Sequence, residues 1–256
     1  MLYGLYLSAQ GAENQSLRLQ TIANNVANAD TTAFKRDLAV FQDHQPFDVE
    51  HGYMTHPPGN LNDSTGGTTI ASTHTDFGEG PLQETGGPYD LAITGPGFLQ
   101  VRNGPETLLT RNGQLTLNDL GEIITQDQGL PVLSREGTSI VVPPFIENVN
   151  ISSDGNIVGM TKDGGVIPLG QLDLVQPASL EDLQKLGTSL YRSSGPVVPA
   201  EESIQVRQGF LEASAVNPIA ETVQMIEASR AFETNINMIR FQDETLSRLL
   251  QSMGRR

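Results

Sequence analysis

Cysteine is absent from this 256-residue chain, and so is tryptophan. Without thiols there can be no disulfide staple, no thiolate nucleophile and no cysteine-ligated zinc, while the redox state of the compartment is left open. Aromatic residues make up 5% and hydrophobic residues 37%, so part of the chain is expected to lack a dense interior. Positive charge is scarce as well: 15 Lys and Arg against 30 Asp and Glu give a net charge of -15. No nucleic acid partner is expected, because phosphate backbones are held by clustered basic side chains. No apolar run approaches the roughly 18 residues that a membrane span requires, so no membrane insertion is expected. Residues 1–20 have neither a basic leader nor an unbroken apolar segment, and a cleaved Sec-type signal is not expected.

What the chain does have is two long helical patterns, one at each end. Residues 219–253 read as a single helix roughly 50 Å long. Asn217 is its N-cap, Pro218 fits the first helical position, Glu221 places negative charge near the positive end, and Gly254 closes it. Ser229, Phe232, Ile236, Ile239, Asp243, Leu246, Leu250 and Met253 recur at alternating steps of three and four, the spacing of a coiled-coil seam. Leu5, Ala9, Ala12, Ser16, Leu19, Ala23 and Val26 repeat that alternation at the N-terminal end. A core helix of an ordinary α/β domain would give a similar stripe. The first helix is alanine-rich and gains little from each buried side chain, so both ends are expected to order fully only on packing with each other and with neighbouring subunits.

Between the ends the text changes twice. Asn24, Asn25 and Asn28 lie along one helical flank, where their amides can cap the following turn or bond to another chain. Asp30, Thr31 and Thr32 supply turn chemistry, and Phe34 offers an apolar anchor. Residues 37–72 then read as a linker or long loop. The four histidines His44, His51, His56 and His74 fall in or beside it at spacings that fit no ligand pattern, so no metal site is expected. From Phe77 the period becomes two, with short apolar runs separated by turn formers, which marks a β-domain. Asn112-Gly113 predicts a tight hairpin, Asp154-Gly155 and Asp163-Gly164-Gly165 predict two more, and Pro143-Pro144 predicts a corner. A short helix is expected within residues 179–186.

Chemistry is hard to find. Gly95-Pro96-Gly97 and Gly164-Gly165 are not followed by a helix that could receive a phosphate. Asp90, Asp119, Glu122, Asp127 and Asp154 read as turn residues rather than paired acid and base, and no nucleophile elbow is present. No catalytic residue, cofactor or metal is expected.

The N-terminal run Asn24, Asn25, Val26, Ala27, Asn28 followed by Thr31, Thr32, Ala33, Phe34 and Lys35 resembles the signature of the bacterial flagellar rod and hook family. The C-terminal run from Leu211 through Pro218, then Glu221, Met225, Ile226, Glu227, Arg230, Ala231, Phe232, Glu233 and Asn235, is similar to that family's closing helix. Ala33 stands where the family usually has Gly, and residues 215–218 replace its usual Ser-Asn-Val-Asn. The resemblance implies an α+β fold in which long N- and C-terminal helices pair as a coiled-coil-like layer beside a central all-β domain. The expected parts are residues 1–36 as N-terminal helix and motif, 37–76 as extended linker, 77–213 as β-rich domain and 214–256 as C-terminal helix. The expected assembly interface is Leu5, Ala9, Ala12, Leu19, Ala23, Asn24, Asn25, Val26, Asn28, Thr31, Thr32, Phe34, Ile226, Phe232, Ile236, Ile239, Leu246 and Leu250. Implied partners are copies of the chain, other rod and hook subunits and the flagellar type III export apparatus, with basal-body ring proteins as further candidates. The implied location is the periplasmic axis of the basal body, reached without signal cleavage. A secreted coiled-coil adhesin with a carbohydrate-recognising β-domain, and a β-domain hydrolase, are the rival readings.

Overall fold

The computed structural model describes residues 2–43, 68–201 and 204–253. These form two compact units. One holds the described residues 2–27, 37–43, 68–76 and 217–253, and the other holds 28–36, 77–201 and 204–216. Residues 28–36 group with the β-rich unit.

In the helical unit, α1 (Leu2–Ala27) packs against α2 (Pro218–Met253). The start of α2 is capped as its sequence requires: Asn217 Oδ1 accepts from the N–H groups of Ile219 and Ala220 at 3.1 and 3.2 Å, and Pro218 takes the first position. The segment expected to be a linker carries a strand at each end, β1 (Arg36–Asp43) and β2 (Thr68–Asp76), and the two pair with each other. The β-branched content of Thr68–Asp76 favours that pairing. Three of the four histidines, His44, His51 and His56, lie outside the described residues, while His74 is exposed. No group of three potential ligands gathers among the described residues, and no helix among them is long and apolar enough to cross a membrane.

The second unit is the expected β-domain. Its strands are β3 (Leu82–Glu84), β4 (Leu91–Thr94), β5 (Phe98–Asn103), β6 (Glu106–Thr110), β7 (Leu115–Leu117), β8 (Ile123–Thr125), β9 (Ile146–Ile151), β10 (Asn156–Thr161), β11 (Val166–Gln171), β12 (Leu174–Pro177), β13 (Leu183–Lys185), β14 (Leu190–Ser193), β15 (Val197–Pro199), β16 (Gln205–Gln208) and β17 (Phe210–Glu212). A six-stranded sheet in the order β13-β14-β6-β5-β12-β15 is accompanied by the meander β11-β10-β9 and three two-stranded pairings, β16-β4, β17-β3 and β7-β8. Leu91, Ile93, Leu99, Val101, Leu108, Ile123, Val132, Ile140 and Ile157 form the main core. The segment expected to be a short helix at residues 179–186 is a single 3-10 turn, Leu180–Asp182, running into β13.

Turn chemistry was decisive at some sites and misleading at one. Gly155 and Gly164 adopt φ of 77° and 79° and close the β9-β10 and β10-β11 hairpins as expected. Asn112-Gly113 makes no such hairpin: β6 pairs with β5 and β14, whereas β7 pairs with β8. Gly113 is needed for a different reason. A Cβ there would lie 1.8 Å from the Leu91 carbonyl oxygen, and the Gly113 carbonyl accepts from Leu91 N–H at 2.9 Å.

Ala33, at φ 54°, is the only described non-glycine residue in the left-handed region. It is held there by its N–H donating to the Glu212 carbonyl at 2.8 Å and by burial of the neighbouring Phe34. An L-residue is strained in that conformation and glycine is not. Ala33→Gly is expected to stabilise the β-rich unit by about 1 kcal/mol, read as a higher midpoint in urea unfolding; an unchanged or lower midpoint would contradict this.

Candidate assembly interface

The helix pair and the motif turn are the two places where the sequence-predicted residues come together. Along α1 and α2 the contacts run in opposite directions. A Cβ built on Gly4 would lie 3.2 Å from the Gln242 amide nitrogen, and one on Gly11 would lie 3.1 Å from both amide atoms of Asn235. Farther along, Asn25 Nδ2 reaches Glu221 Oε2 at 3.5 Å, with both residues buried. Compared with the expected stripe of Leu5, Ala12, Leu19 and Val26, these contacts fall one residue earlier on α1. On α2, Phe232, Ile239 and Leu246 are half-buried as the stripe suggests, but the other row is Ala228, Asn235 and Gln242 in place of Ser229, Ile236 and Asp243.

The predicted residues divide by burial. Ala12, Asn25 and Phe34 are buried, and Leu5, Leu19, Val26, Asn28, Thr31, Thr32, Phe232, Ile236, Ile239 and Leu246 are half-buried. Ala9, Ala23, Asn24, Ile226 and Leu250 are exposed. Asn25 does the most inside the helical unit. Its amide donates to the Asp37 carbonyl at 2.8 Å and accepts from the Asp37 N–H at 3.0 Å, so one side chain satisfies the backbone of β1 in both directions. Asn28 and Thr31 close the turn that follows α1, the Thr31 N–H donating to the Asn28 carbonyl at 3.2 Å.

Phe34 and Lys35 enter the β-rich unit. The Lys185 ammonium sits 3.9 Å from the centre of the Phe34 ring and donates to the Lys35 carbonyl at 2.8 Å. Lys35 Nζ donates to Glu212 Oε1 at 2.5 Å and to the Gly78 carbonyl at 2.8 Å. Glu212 also accepts the Gly80 N–H at 2.9 Å and Arg111 Nε at 3.0 Å. The remaining Arg111 donors go to the carbonyls of Ile93, Gly95 and Gly97. Lys35, Arg111 and Glu212 are 0%, 2% and 1% exposed, so this is a fully enclosed ionic cluster. None of the three was marked as an interacting group by the sequence, because a buried charge leaves no periodic trace.

Burial alone would raise the Glu212 carboxyl, but Arg111, Lys35 and the Gly80 N–H outweigh it and hold the group below its ordinary 4.5. Burial pulls the Lys35 ammonium below its ordinary 10.5, Arg111 adds to that, and Glu212 opposes it. The stabilisation from Glu212 is therefore fully present above pH 4.5 and is lost as pH falls through its lower folded value. Glu212→Gln leaves two buried cations without a counter-ion and is expected to destabilise the β-rich unit by about 3–5 kcal/mol at neutral pH. Urea unfolding across pH 3 to 8 should show that loss together with a shallower fall on the acid side than in the parent protein; a parallel acid limb would contradict it.

With this geometry in place, the comparisons with known proteins agree at both ends and in the middle. Residues 5–35 match the family described as "Flagella basal body rod protein", residues 92–159 match "Flagellar hook protein FlgE/F/G D1 domain", and residues 207–252 match "Flagellar basal body rod FlgEFG protein C-terminal". The chain is 33% identical over 255 residues to the flagellar basal-body rod protein FlgF of Caulobacter vibrioides, covering 98% of each chain. It is 33% identical over 266 residues to FlgG of Buchnera aphidicola subsp. Schizaphis graminum, covering 98% of this chain and all of that one. It is also 31% identical over 261 residues to FlgG of Bacillus subtilis, covering 98% of each. Full-length similarity of this kind, with the motif turn and the capped closing helix both in place, makes the chain a member of the flagellar basal-body rod protein family.

Proposed function

We propose that this structural rod subunit polymerises through its terminal helices and so transmits torque from motor to hook. The single observation that carries the reading is the outer side of α2. Ile219, Val223, Ile226 and Phe241 are 79%, 51%, 50% and 65% exposed, and by helical spacing they lie on roughly the opposite side from Ala228, Asn235 and Gln242. An amphipathic helix that already spends one side on α1 and still shows an apolar stripe wants a second helix. In a heterologous arrangement that does not close, each copy covers its neighbour's stripe and a helical filament follows. The coiled-coil-like layer then forms between copies as well as within one, with Leu5, Leu19, Ile236 and Leu250 among its contacts.

The same reading assigns the remaining partners. Other rod and hook subunits continue the axis, ring proteins of the basal body surround it, and the type III export apparatus delivers the chain to its periplasmic position without signal cleavage. A lean interior in the helical unit and the lack of cysteine suit passage in an unfolded state. The adhesin and hydrolase alternatives find no support in the family to which the chain belongs.

Ile226→Asp and Phe241→Asp test the stripe. Both positions are exposed in the single chain, so circular dichroism and unfolding midpoints of the purified protein should be unchanged. Burying the new charge between copies costs several kcal/mol, so incorporation into isolated basal bodies should fail. Normal incorporation of both variants would refute the proposal.

A further inference from the structure

Steps of seven residues connect three separate contacts in the helix pair. From Gly4 to Gly11 is seven forward on α1, and from Gln242 to Asn235 is seven back on α2. From Gly11 to Asn25 is fourteen forward, and from Asn235 to Glu221 is fourteen back. The intervening rung, by the same count, sets Arg18 beside Ala228, which is fully buried. All three contacts thus belong to one antiparallel register, built from glycine, amide and carboxylate groups.

Apolar packing cannot by itself choose that register. Phe232, Ile239 and Leu246 are themselves seven apart and all half-buried, so sliding α1 by one heptad replaces like with like. The two glycine–amide rungs exchange as well, since a slip sets Gly11 beside Gln242 or Gly4 beside Asn235, but the Asn25–Glu221 rung does not. A slip in one direction moves Asn25 from Glu221 to the methyl group of Ala228. A slip in the other gives Glu221 to Arg18 and carries Asn25 past the start of α2 to the level of Ser214. Either way the buried Asn25–Glu221 hydrogen bond is broken, and Glu221 gives up a buried amide donor, which is penalised beyond a mismatched apolar contact.

We infer that the Asn25–Glu221 rung selects the register of the helix pair that also sets Gly4 beside Gln242 and Gly11 beside Asn235, and thereby fixes the level along α2 at which its exposed apolar side chains meet a neighbouring copy. The second half rests on the assembly reading above. The first half concerns the free chain alone. Asn25 and Glu221 act here as specificity-determining residues: they add little packing area, and they reject the slipped pairings.

Because the parent chain has no cysteine, paired cysteines report the register without background. In the full-length protein, Ser8→Cys with Ile239→Cys samples the native register, and Ser8→Cys with Leu246→Cys samples a slip of one heptad. On mild oxidation of the dilute protein, the first pair should form an intramolecular disulfide in about tenfold higher yield than the second. Adding Glu221→Leu should bring the two yields to within about twofold while helicity by circular dichroism is retained. Glu221→Ala provides a milder version of the same change. The inference is overturned if the slipped pair forms as readily as the native pair in the parent background, if the preference survives both Glu221 variants, or if both variants lose their helicity, since a register device must be separable from the stability of the pair. Incorporation into basal bodies is a separate readout that bears on the assembly reading and not on the Asn25–Glu221 rung.

Discussion

Glu212 gives up water for Lys35, Arg111 and the Gly80 N–H, and its partners come from stretches of chain as far as 177 residues away. Each of these charges loses several kcal/mol of hydration on burial, so the cluster is tolerable only when every partner is in place. An apolar trio of similar volume could match it in stability. What such a trio could not do is reject a near miss, because an oily side chain accepts many neighbours and a carboxylate between two cations accepts few. The cluster thus makes residues 28–36 an obligatory part of the β-rich unit, and it does the same for the stretch around Glu212. It is also a non-local closure, which orders groups as far as 177 residues apart at a cost in loop entropy.

The helical unit follows another logic. Its pairing surface mixes Ile22, Phe232 and Ile239 with Gly11, Asn25, Glu221 and Asn235, and many of these are only half-buried. A helix pair with so little enclosed apolar area is marginal on its own, since helices in water draw most of their stability from packing. The apolar side chains that would normally complete such a core lie instead on the outside of α2. A monomer designed for independent stability would turn Ile226 and Phe241 inward. On the proposed assembly the subunit has the opposite need, and the distribution of Ile219, Val223, Ile226 and Phe241 suits it.

Much of this was legible in the amino-acid order. The cap at Asn217-Pro218, the switch to period two after Phe77, and the glycine turns at Gly155 and Gly164 depend on local chemistry, and local chemistry is written in adjacent residues. Asn112-Gly113 carried the same local signal, but Leu91 approaches Gly113 so closely that tertiary contact took precedence over turn preference. The stripe on α1 was displaced by one residue because glycine and polar side chains do the pairing, and a search for apolar spacing passes over them. The strand character of Arg36–Asp43 and Thr68–Asp76 was hidden by the proline and glycine text between them. The ionic cluster was not legible at all, since nothing near Lys35, Arg111 or Glu212 in sequence identifies the other two.

The same division explains why a motif and an interface are different things in this chain. The N-terminal signature reads as a contact surface, yet its parts are used within the molecule: Asn25 satisfies β1, Asn28 and Thr31 close a turn, and Phe34 and Lys35 are enclosed by the β-rich unit. Such residues are tied to identity and spacing because each meets a specific backbone group or charge. Ala33 shows how tightly: its left-handed φ of 54° is strained for alanine, and it persists because the bonds on either side of it leave the backbone no alternative. A helix face that binds a neighbour's helix has no comparable demand on identity, only on being apolar at the right spacing. On the proposed assembly, the residues that meet other subunits are therefore the ones with the weakest signature, and they emerge only when the helix pairing shows which apolar side chains of α2 stay exposed.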